Sequence, residues 1–167
     1  MTIPLTPDDL VEIEAIKRLK YRYLRCLDQK LWDEVPDLFV PEATASYGGG
    51  AYEFDGREAI VAFLVDAMGS EGFLSSHRCG HPEIDLTGPG TAHGTWALDD
   101  TVVHTDFNVT IRGAAFYEDD YVKGDDGAWR ILHTGYKRSY EELEPRADTT
   151  QLTASWWGTG GRSSLGG

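Results

Sequence analysis

Cysteine is scarce in this sequence, whose 167 residues include only Cys26 and Cys79. The two lie far apart, so the chain lacks the Cys-x-x-Cys spacing of zinc ribbons and thiol redox motifs. A chain of this length buries enough apolar surface to fold without disulfides. Because Cys26 also falls within an apolar helical pattern, we predict that both thiols are reduced and that the protein belongs to a reducing compartment.

Positive charge is also in short supply. The 15 Lys and Arg residues face 28 Asp and Glu residues, which gives a formal net charge of −13 at pH 7. Binding to a phosphate backbone depends on Lys and Arg side chains that displace counterions, so this balance argues against a nucleic-acid partner. Acidity otherwise favours solubility and does not identify a substrate.

Long apolar runs are missing as well. No stretch approaches the roughly 20 apolar residues that cross a bilayer. Residues 1–9 carry neither the basic nor the apolar region of a signal peptide. We therefore expect no membrane association and a cytoplasmic location. Aromatic residues are by contrast plentiful, at 11% with five Trp, which suits a pocket for an apolar ligand.

The segment 6–28 has the pattern of an amphipathic helix. Thr6 is a suitable N-cap, Pro7 suits the first helical position, and Asp9 completes a capping box. A face that is largely apolar then recurs at three- and four-residue steps over about 22 residues. Its members are Leu10, Ile13, Ile16 or Lys17, Leu19 or Lys20, Tyr23, Leu24 and Leu27. We predict that this face is buried.

The rest of the chain divides into short helices and long strands. The pattern predicts a helix over 31–39 interrupted by Pro36, a hairpin over 43–47 and 51–54, and a helix over 56–68. From Phe73 onward the apolar period changes to two. This predicts four long strands, over 73–87, 91–105, 108–123 and 127–141. Helices followed by a long meander favour an α+β fold, with the helices packed on a curved antiparallel sheet.

The periodic pattern ends near Glu144. We therefore predict a single domain over 1–145 and a C-terminal tail over 146–167 that is partly flexible. The tail carries two adjacent tryptophans, Trp156 and Trp157. They either belong to a loosely packed tail or dock over their own pocket or a neighbouring subunit, because two exposed tryptophans are costly for solubility.

The segment Tyr23–Asp28 places a phenol and a carboxylate on the helix that we expect to be buried. A phenol can donate to a developing oxyanion, and a shielded carboxylate can orient a base. Each candidate also has an ordinary interpretation: Tyr23 as a core tyrosine, Asp28 as a surface residue at a helix end, and His77 as a structural histidine. Tyr23 and Asp28 are about 140° apart around a helix, so they converge only across a wide cavity.

Other constellations are less specific. The five histidines lack the spacing typical of a zinc site, and we predict no metal. The glycines at 48–50 lack the Lys and Ser or Thr of a phosphate loop, so we interpret them as a hairpin turn. The basic cluster of the first helix, which runs from Lys17 through Lys20 to Arg25, is interpreted as a solvated face.

Four stretches of the chain closely resemble the bile acid 7α-dehydratases, a group within the SnoaL-like, NTF2-like superfamily that also includes scytalone dehydratase. They are residues 16–34, 76–84, 94–100 and 113–142, and the resemblance extends from roughly residue 10 to 145. It implies an NTF2-like fold, a cone-shaped α+β barrel with N-terminal helices packed on a curved antiparallel sheet.

The resemblance also implies site residues. The family's catalytic tyrosine, aspartate, histidine and second aspartate, and an arginine of its last strand, correspond to Tyr23, Asp28, His77, Asp100 and Arg138. The family's Gly-His-Thr-Pro becomes Cys79-Gly80-His81-Pro82 here. Because the second histidine is displaced, no role passes to His81.

The implied activity is that of a lyase that eliminates water from a hydroxylated 3-oxo steroid or bile-acid-like polycyclic substrate through an enolate, with no cofactor. His77 would shuttle the proton, Asp28 would hold one of its ring nitrogens, and Tyr23 would donate to the carbonyl oxygen. Asp100 would orient water or the leaving hydroxyl, and Arg138 would balance a buried carboxylate. An isomerase, a cyclase and a non-catalytic ligand-binding module stay open as alternatives. The resemblance implies a homotrimer, although many relatives form dimers.

Overall fold

Helix α1, Pro7–Asp28, begins as the sequence predicts. Thr6 Oγ1 accepts a hydrogen bond from the Asp9 backbone N–H at 3.2 Å, and the Asp9 carboxylate accepts one from the Thr6 N–H at 2.8 Å. These two bonds are the predicted capping box.

The structure is a computed structural model that describes residues 5–165, so residues 1–4 and 166–167 of the predicted domain and tail lie outside the described residues.

The helix predicted over 31–39 is wrong in its extent. Only Val35–Leu38 is helical, as a single 3-10 turn, because Pro36 lacks a backbone N–H and Phe39 already begins a strand. Strands β1, Phe39–Tyr47, and β2, Tyr52–Asp55, then form the predicted hairpin. Helix α2 follows at Arg57–Met68.

Four long strands complete the sheet, with bounds close to the predicted ones. They are β3, Phe73–Gly88; β4, Thr91–His104; β5, Val109–Lys123; and β6, Trp129–Pro145. The strand order is β2-β1-β6-β5-β4-β3, and every neighbouring pair is antiparallel except β1 and β6, which are parallel. The predicted α+β class with a curved sheet is confirmed.

The helices cover one face of this sheet. Helix α1 packs against β3 and β6, and α2 packs against β1 and β2. The buried side of α1 includes Ile16, Tyr23, Leu24 and Leu27, as its period predicts, whereas Leu10 in the first turn is exposed. The two helices and the covered face of the sheet enclose the space in which the candidate site lies.

The tail contains a short helix, α3, at Trp156–Thr159. Ser155 caps it by accepting a hydrogen bond from the Gly158 backbone N–H at 2.8 Å. The division of the chain at residue 145 stays a prediction, although β6 ends at that residue. Within residues 5–165, no helix has both the length and the apolar character needed to cross a bilayer.

Candidate active site

A cavity of about 210 Å³ lies between α1, α2 and the covered face of the sheet. Its wall is mostly aromatic and aliphatic, with a few polar groups among the apolar ones. The side chains that line it include Tyr23, Leu27, Tyr47, Tyr52, Phe63, Leu64, Met68, Phe73, His77, Asp100, Val102, Tyr117, Tyr136, Arg138 and Glu141. An apolar cavity with a few converging polar groups is the usual form of a small-molecule site.

Asp28 and His77 form a tightly held pair at the end of α1. Asp28 Oδ1 lies 2.6 Å from His77 Nδ1, and Asp28 Oδ2 accepts the backbone N–H of the same residue at 2.9 Å. Ser75 Oγ donates to Asp28 Oδ1 at 2.8 Å. Since a carboxylate only accepts, Nδ1 carries the proton and Nε2 is the ring nitrogen available to a molecule in the cavity.

This geometry resolves the spacing problem posed by Tyr23 and Asp28. Tyr23 lines the cavity, whereas Asp28 is absent from its wall and reaches the site through the His77 ring. The two residues on α1 therefore do not need to share a face. His77 comes from β3, the edge strand beside α1, which brings its imidazole to the Asp28 carboxylate.

Tyr23 forms a hydrogen-bonded pair with Tyr47 of β1, with their hydroxyl oxygens 3.1 Å apart. Both rings are almost fully buried. Burial, assisted by the nearby hydroxyls of Tyr47 and Tyr117, raises the pKa of Tyr23 well above its usual value. Burial likewise raises the pKa of Tyr47. Both phenols are therefore protonated at neutral pH, and because one bond joins two hydroxyls, one proton is left to donate to a ligand.

Asp100 and Arg138 form an ion pair in the cavity wall. Asp100 lies directly opposite His77 in the β3–β4 pairing and is 3% exposed. Its carboxylate accepts hydrogen bonds from both terminal nitrogens of Arg138, and the bond from Nη2 is 3.0 Å long. Such a bidentate pair is strong and orients both groups. Asp100 is therefore the buried carboxylate that Arg138 balances, which is the role that the resemblance implies for Arg138.

Gly113 makes room for this ion pair. It lies on β5 and pairs with Asp100 on the neighbouring strand β4. A Cβ at this position would lie 2.9 Å from Arg138 Nη1 and 2.8 Å from the Tyr140 carbonyl oxygen. A larger residue would displace the guanidinium. Sequence reasoning missed Gly113 as a site residue, since a glycine inside a strand signals close approach without naming the partner.

Tyr47, Tyr117 and Tyr136 are also cavity residues that the sequence did not single out. Tyr47 and Tyr136 lie on the parallel strand pair β1–β6, with ring centroids 5.8 Å apart. The signal for them was the alternation of the strands, which places Tyr47 and Tyr117 on the buried face. That alternation predicts burial and says nothing about which buried tyrosines reach a cavity.

Lys20 corrects the interpretation of the basic cluster as a solvated face. It is fully buried, and its Nζ lies 2.6 Å from Asp119 Oδ2, which is fully buried as well. Asp119 also accepts hydrogen bonds from the hydroxyls of Tyr121 and Thr134, each 2.7 Å long. The sequence signal was present, because Lys20 follows Ile16 by four positions and precedes Tyr23 by three, on the buried stripe.

The remaining histidines lie away from the cavity. His81 is exposed, with a φ of 47° at an irregularity in the β3–β4 pairing. His93 Nδ1 and Nε2 each lie 2.8 Å from a carboxylate, of Asp120 and Glu118 respectively. Within residues 5–165, no group of three or more His, Cys, Asp or Glu side chains is arranged to hold a metal ion.

Comparison with solved structures supports the fold. The chain is similar to a protein of Novosphingobium aromaticivorans DSM 12444 provisionally described as a scytalone dehydratase, with a TM-score of 0.77, 22% identity, and coverage of 89% of this chain and 100% of that one. It is also similar to hexachlorocyclohexane dehydrochlorinase LinA-type3 from Novosphingobium barchaimii LL02, with a TM-score of 0.74, 17% identity, and coverage of 87% and 97%. These likenesses confirm the NTF2-like cone.

Comparison of sequences identifies the family. An uncharacterized protein of Mycobacterium tuberculosis (strain ATCC 25618 / H37Rv) is 24% identical over 131 residues, which cover 77% of this chain and 86% of that protein. Residues 8–135 match the model of the SnoaL-like domain, which is more than half of the chain. The chain therefore belongs to the SnoaL-like domain family.

Proposed function

We propose that this protein is a cofactor-independent lyase that eliminates water from a hydroxylated ketone through an enolate. The observation that carries the proposal is the convergence, in one largely apolar cavity, of an imidazole held by a carboxylate and a buried pair of protonated tyrosines. An elimination of this kind needs a base for a weakly acidic C–H, a donor for the enolate oxygen, and an acid for the leaving hydroxide.

His77 is the base and then the acid. Its Nε2 takes a proton from the carbon activated by the carbonyl, and the electron pair of the C–H bond moves into the enolate. The enolate collapses, the C–O bond breaks, and the imidazolium returns the same proton to the departing hydroxide to form water. Asp28 keeps Nδ1 protonated throughout and stabilises the imidazolium as it forms, as the aspartate of a catalytic triad does.

Tyr23 is the donor to the enolate oxygen. A phenol whose pKa is raised by burial keeps its proton, so it can donate a hydrogen bond as charge develops on the carbonyl. Tyr47 supports it by donating its own proton to the Tyr23 oxygen, which leaves the single Tyr23 proton for the enolate oxygen. One donor of this kind contributes about 10²–10³-fold to kcat.

Asp100 and Arg138 shape the polar side of the cavity next to His77. The ion pair neutralises both charges, so neither acts as a free base or a free cation toward the substrate. We assign it the role of holding water or the leaving hydroxyl beside the imidazole.

Family membership and the structural neighbours support this reaction class. The names of two similar structures refer to a dehydratase and a dehydrochlorinase, and each of these is an elimination. The close resemblance to the bile acid 7α-dehydratases over four stretches points the same way. All five residues carried over from that resemblance converge in and beside this cavity.

We propose a smaller substrate than the steroid that the resemblance implies. A cavity of about 210 Å³ is smaller than the roughly 300–1,000 Å³ typical of sites for drug-sized ligands. We therefore propose a hydroxylated ketone with one or two rings as the substrate. A steroid would have to leave part of its fused rings outside the cavity.

Turnover of a small panel tests the proposal. The protein is incubated with one- and two-ring β-hydroxy ketones and with a 7α-hydroxy-3-oxo-Δ4 steroid, and the conjugated product is followed by its absorbance. We expect the smaller ketones to be dehydrated faster than the steroid. Turnover of the steroid alone would overturn the size assignment, and no elimination from any member would overturn the lyase.

The His77→Ala variant tests the mechanism. It removes the base and acid together, so we expect elimination to fall about 10²–10⁴-fold or more while ligand binding, measured by tryptophan fluorescence, is largely kept. His81→Asn is the matched control, because His81 is exposed and Asn tolerates its left-handed backbone. Parent-like activity of His77→Ala would remove His77 from the mechanism.

The homo-oligomer that the resemblance implies, with a trimer favoured, stays a prediction. Large apolar side chains are exposed on β5 and β6, among them Phe116, Tyr140 and Leu143. We propose these strands as the contact surface between copies of the chain, because exposed apolar patches of this kind commonly mark interfaces.

A further inference from the structure

Lys30 links the three elements that build the candidate site. It follows the C-cap of α1 in a left-handed conformation, with a φ of 52°. Its ammonium donates to the carbonyl oxygens of Met68, the last residue of α2, and of Phe73, the first residue of β3, the latter at 2.8 Å. A cation at the C-terminal end of a helix satisfies free carbonyls and complements the helix dipole.

The three elements so joined carry the machinery. Asp28 ends α1 two residues before Lys30, Met68 and Leu64 of α2 line the cavity, and β3 brings Phe73 and His77 to it. The position of Asp28 relative to His77 therefore depends on how the end of α1 meets the start of β3. Lys30 spans this junction with two hydrogen bonds.

The C-terminal tail covers Lys30 from outside. The ring centroid of Trp157 lies 4.5 Å from Lys30 Nζ, and the Phe73 ring lies 5.5 Å from it. A cation over an aromatic ring is attracted by the negative face of the ring, more strongly when water is excluded. Trp156, by contrast, is 60% exposed. The two adjacent tryptophans therefore have different surroundings, although both belong to α3.

The tail lies behind Asp28 and away from the cavity. Trp156, Trp157 and Leu152 line a separate surface pocket together with Asp28 and Ser75. None of the tail residues 146–165 is among the side chains that line the cavity. The tail therefore lies on the chain's own surface beside Asp28 and Ser75 and does not cover the cavity, so the role predicted for the two tryptophans stays a prediction.

We propose that Lys30 and Trp157 form a clamp that holds the end of α1 against β3 and so sets the orientation of the His77 ring. Both are positioning residues, because neither lines the cavity. Trp157 acts through the Lys30 ammonium, and Lys30 acts through the backbone junction that fixes Asp28. The effect on turnover rests on the proposed lyase function, whereas the effect on the His77 ring does not.

The His77 ring provides a readout that needs no substrate. In ¹H–¹⁵N spectra of the imidazole, the parent should show a protonated Nδ1 held by Asp28, with one sharp resonance. In Trp157→Ala the clamp is lost, so we expect the Nδ1–H resonance to broaden or shift. Trp156→Ala, the matched control from the same helix, should match the parent.

Kinetic data extend the test. A misplacement of about 1 Å can cost about 10²-fold, so we expect Trp157→Ala to lower kcat by about 10- to 100-fold with KM little changed, since the cavity wall is intact. Trp157→Phe keeps a ring over the ammonium and should restore most of the loss. Lys30→Met should resemble Trp157→Ala with a larger effect, and circular dichroism confirms that each variant is folded.

The outcomes separate the clamp from the proposed reaction. An unchanged His77 Nδ1–H resonance in folded Trp157→Ala overturns the clamp, whatever the activity. An altered resonance in Trp157→Ala but not in Trp156→Ala supports it, even if no substrate of the panel is turned over. Equal changes in both tryptophan variants overturn it as well, because the effect would then belong to the tail as a whole.

Discussion

Two polar clusters, one fully buried and one partly buried, lie side by side in this fold and differ in their access to the cavity. The sealed cluster consists of Lys20, Asp119, Tyr121 and Thr134, and the open cluster consists of the Asp28–His77, Tyr23–Tyr47 and Asp100–Arg138 pairs. Both contain an ion pair and tyrosines. Composition alone does not distinguish them.

The sealed cluster is buried, and none of its four residues lines the cavity. Asp119 accepts hydrogen bonds from Lys20, Tyr121 and Thr134, and the Lys20 ammonium lies 3.3 Å from the centroid of the Tyr117 ring. Among residues 5–165, the buried side-chain nitrogen and oxygen atoms without a hydrogen-bond partner are His104 Nδ1 and Arg138 Nε. Neither belongs to the sealed cluster. Its groups therefore stabilise one another and have nothing to offer a ligand.

The open cluster keeps unused capacity on its cavity side. His77 has one ring nitrogen free of Asp28, the Tyr23–Tyr47 pair has one hydroxyl proton in excess, and Arg138 Nε lies 3.0 Å from Glu141 Oε2 without hydrogen-bond geometry. A buried polar group with unused capacity is costly unless a ligand or water completes it. The two clusters therefore differ in access to the cavity, which the residues of the open cluster line or adjoin and those of the sealed cluster do not.

The largest effect on kcat is expected from a substitution that breaks the open cluster at Asp28. In Asp28→Asn the amide donates to His77 Nδ1, which moves the ring proton to Nε2 and removes the base. We expect kcat for the elimination to fall by about 10³–10⁴-fold, as when the aspartate of a catalytic triad is replaced by asparagine. Steady-state kinetics with a substrate of the panel measure the loss, and imidazole ¹⁵N spectra report the tautomer.

Ser75→Ala is the control for Asp28→Asn. It removes one neutral donor to Asp28 and leaves both bonds to His77 in place, so we expect less than a tenfold change in kcat. If Asp28→Asn kept both the Nδ1–H tautomer and the parent rate, the open cluster would work without its carboxylate and the comparison with the sealed cluster would fail.

Breaking the sealed cluster should lower the free energy of unfolding. Lys20→Met leaves the Asp119 carboxylate buried without its cation, and breaking a buried pair in this way costs about 3–5 kcal/mol. The double variant Lys20→Met/Asp119→Leu removes both charges and should lose less than Lys20→Met alone. Urea unfolding followed by circular dichroism measures both. A loss under about 1 kcal/mol in Lys20→Met would show that water reaches this pair, contrary to a sealed cluster.

The sequence predicted the elements well where local chemistry decides them. The capping box at Thr6 and Asp9, the α1 stripe and the four strands depend on short spacings, and all are found with bounds within a few residues. The prediction of a helix over 31–39 was wrong because helical structure is confined to one 3-10 turn at Pro36 and Phe39 begins β1. Phe39 pairs with Ile131 of β6, a contact between residues about 90 apart in the chain that local spacing does not predict.

The sequence named some members of the candidate site but neither their connections nor the cavity residues Tyr47, Tyr117 and Tyr136. Tyr23, Asp28 and His77 were named from the family resemblance, yet that resemblance does not say that Asp28 acts from outside the cavity through the His77 ring. Lys20 was interpreted as part of a solvated face because a buried lysine is rare without a partner. Its partner Asp119 lies 99 positions away in the chain. Long-range pairs of this kind follow from strand register, which a single sequence leaves open.

Cys79 lies between the two clusters and gives the finest test of their separation. Burial raises the pKa of the Cys79 thiol to about 11, with the charge of Lys20 lowering it and those of Asp119 and Asp100 raising it. Alkylation requires the thiolate, so in a Cys26→Ala background we expect iodoacetamide at pH 8 to react about 100-fold more slowly with the native protein than with the urea-denatured protein. Because the folded pKa exceeds the unfolded one, the contribution of this thiol to stability is complete below about pH 9 and is lost as the pH rises toward about 11. Native alkylation within threefold of the denatured rate would mean that water penetrates between the clusters, and the sealed cluster would then share the solvent of the open one.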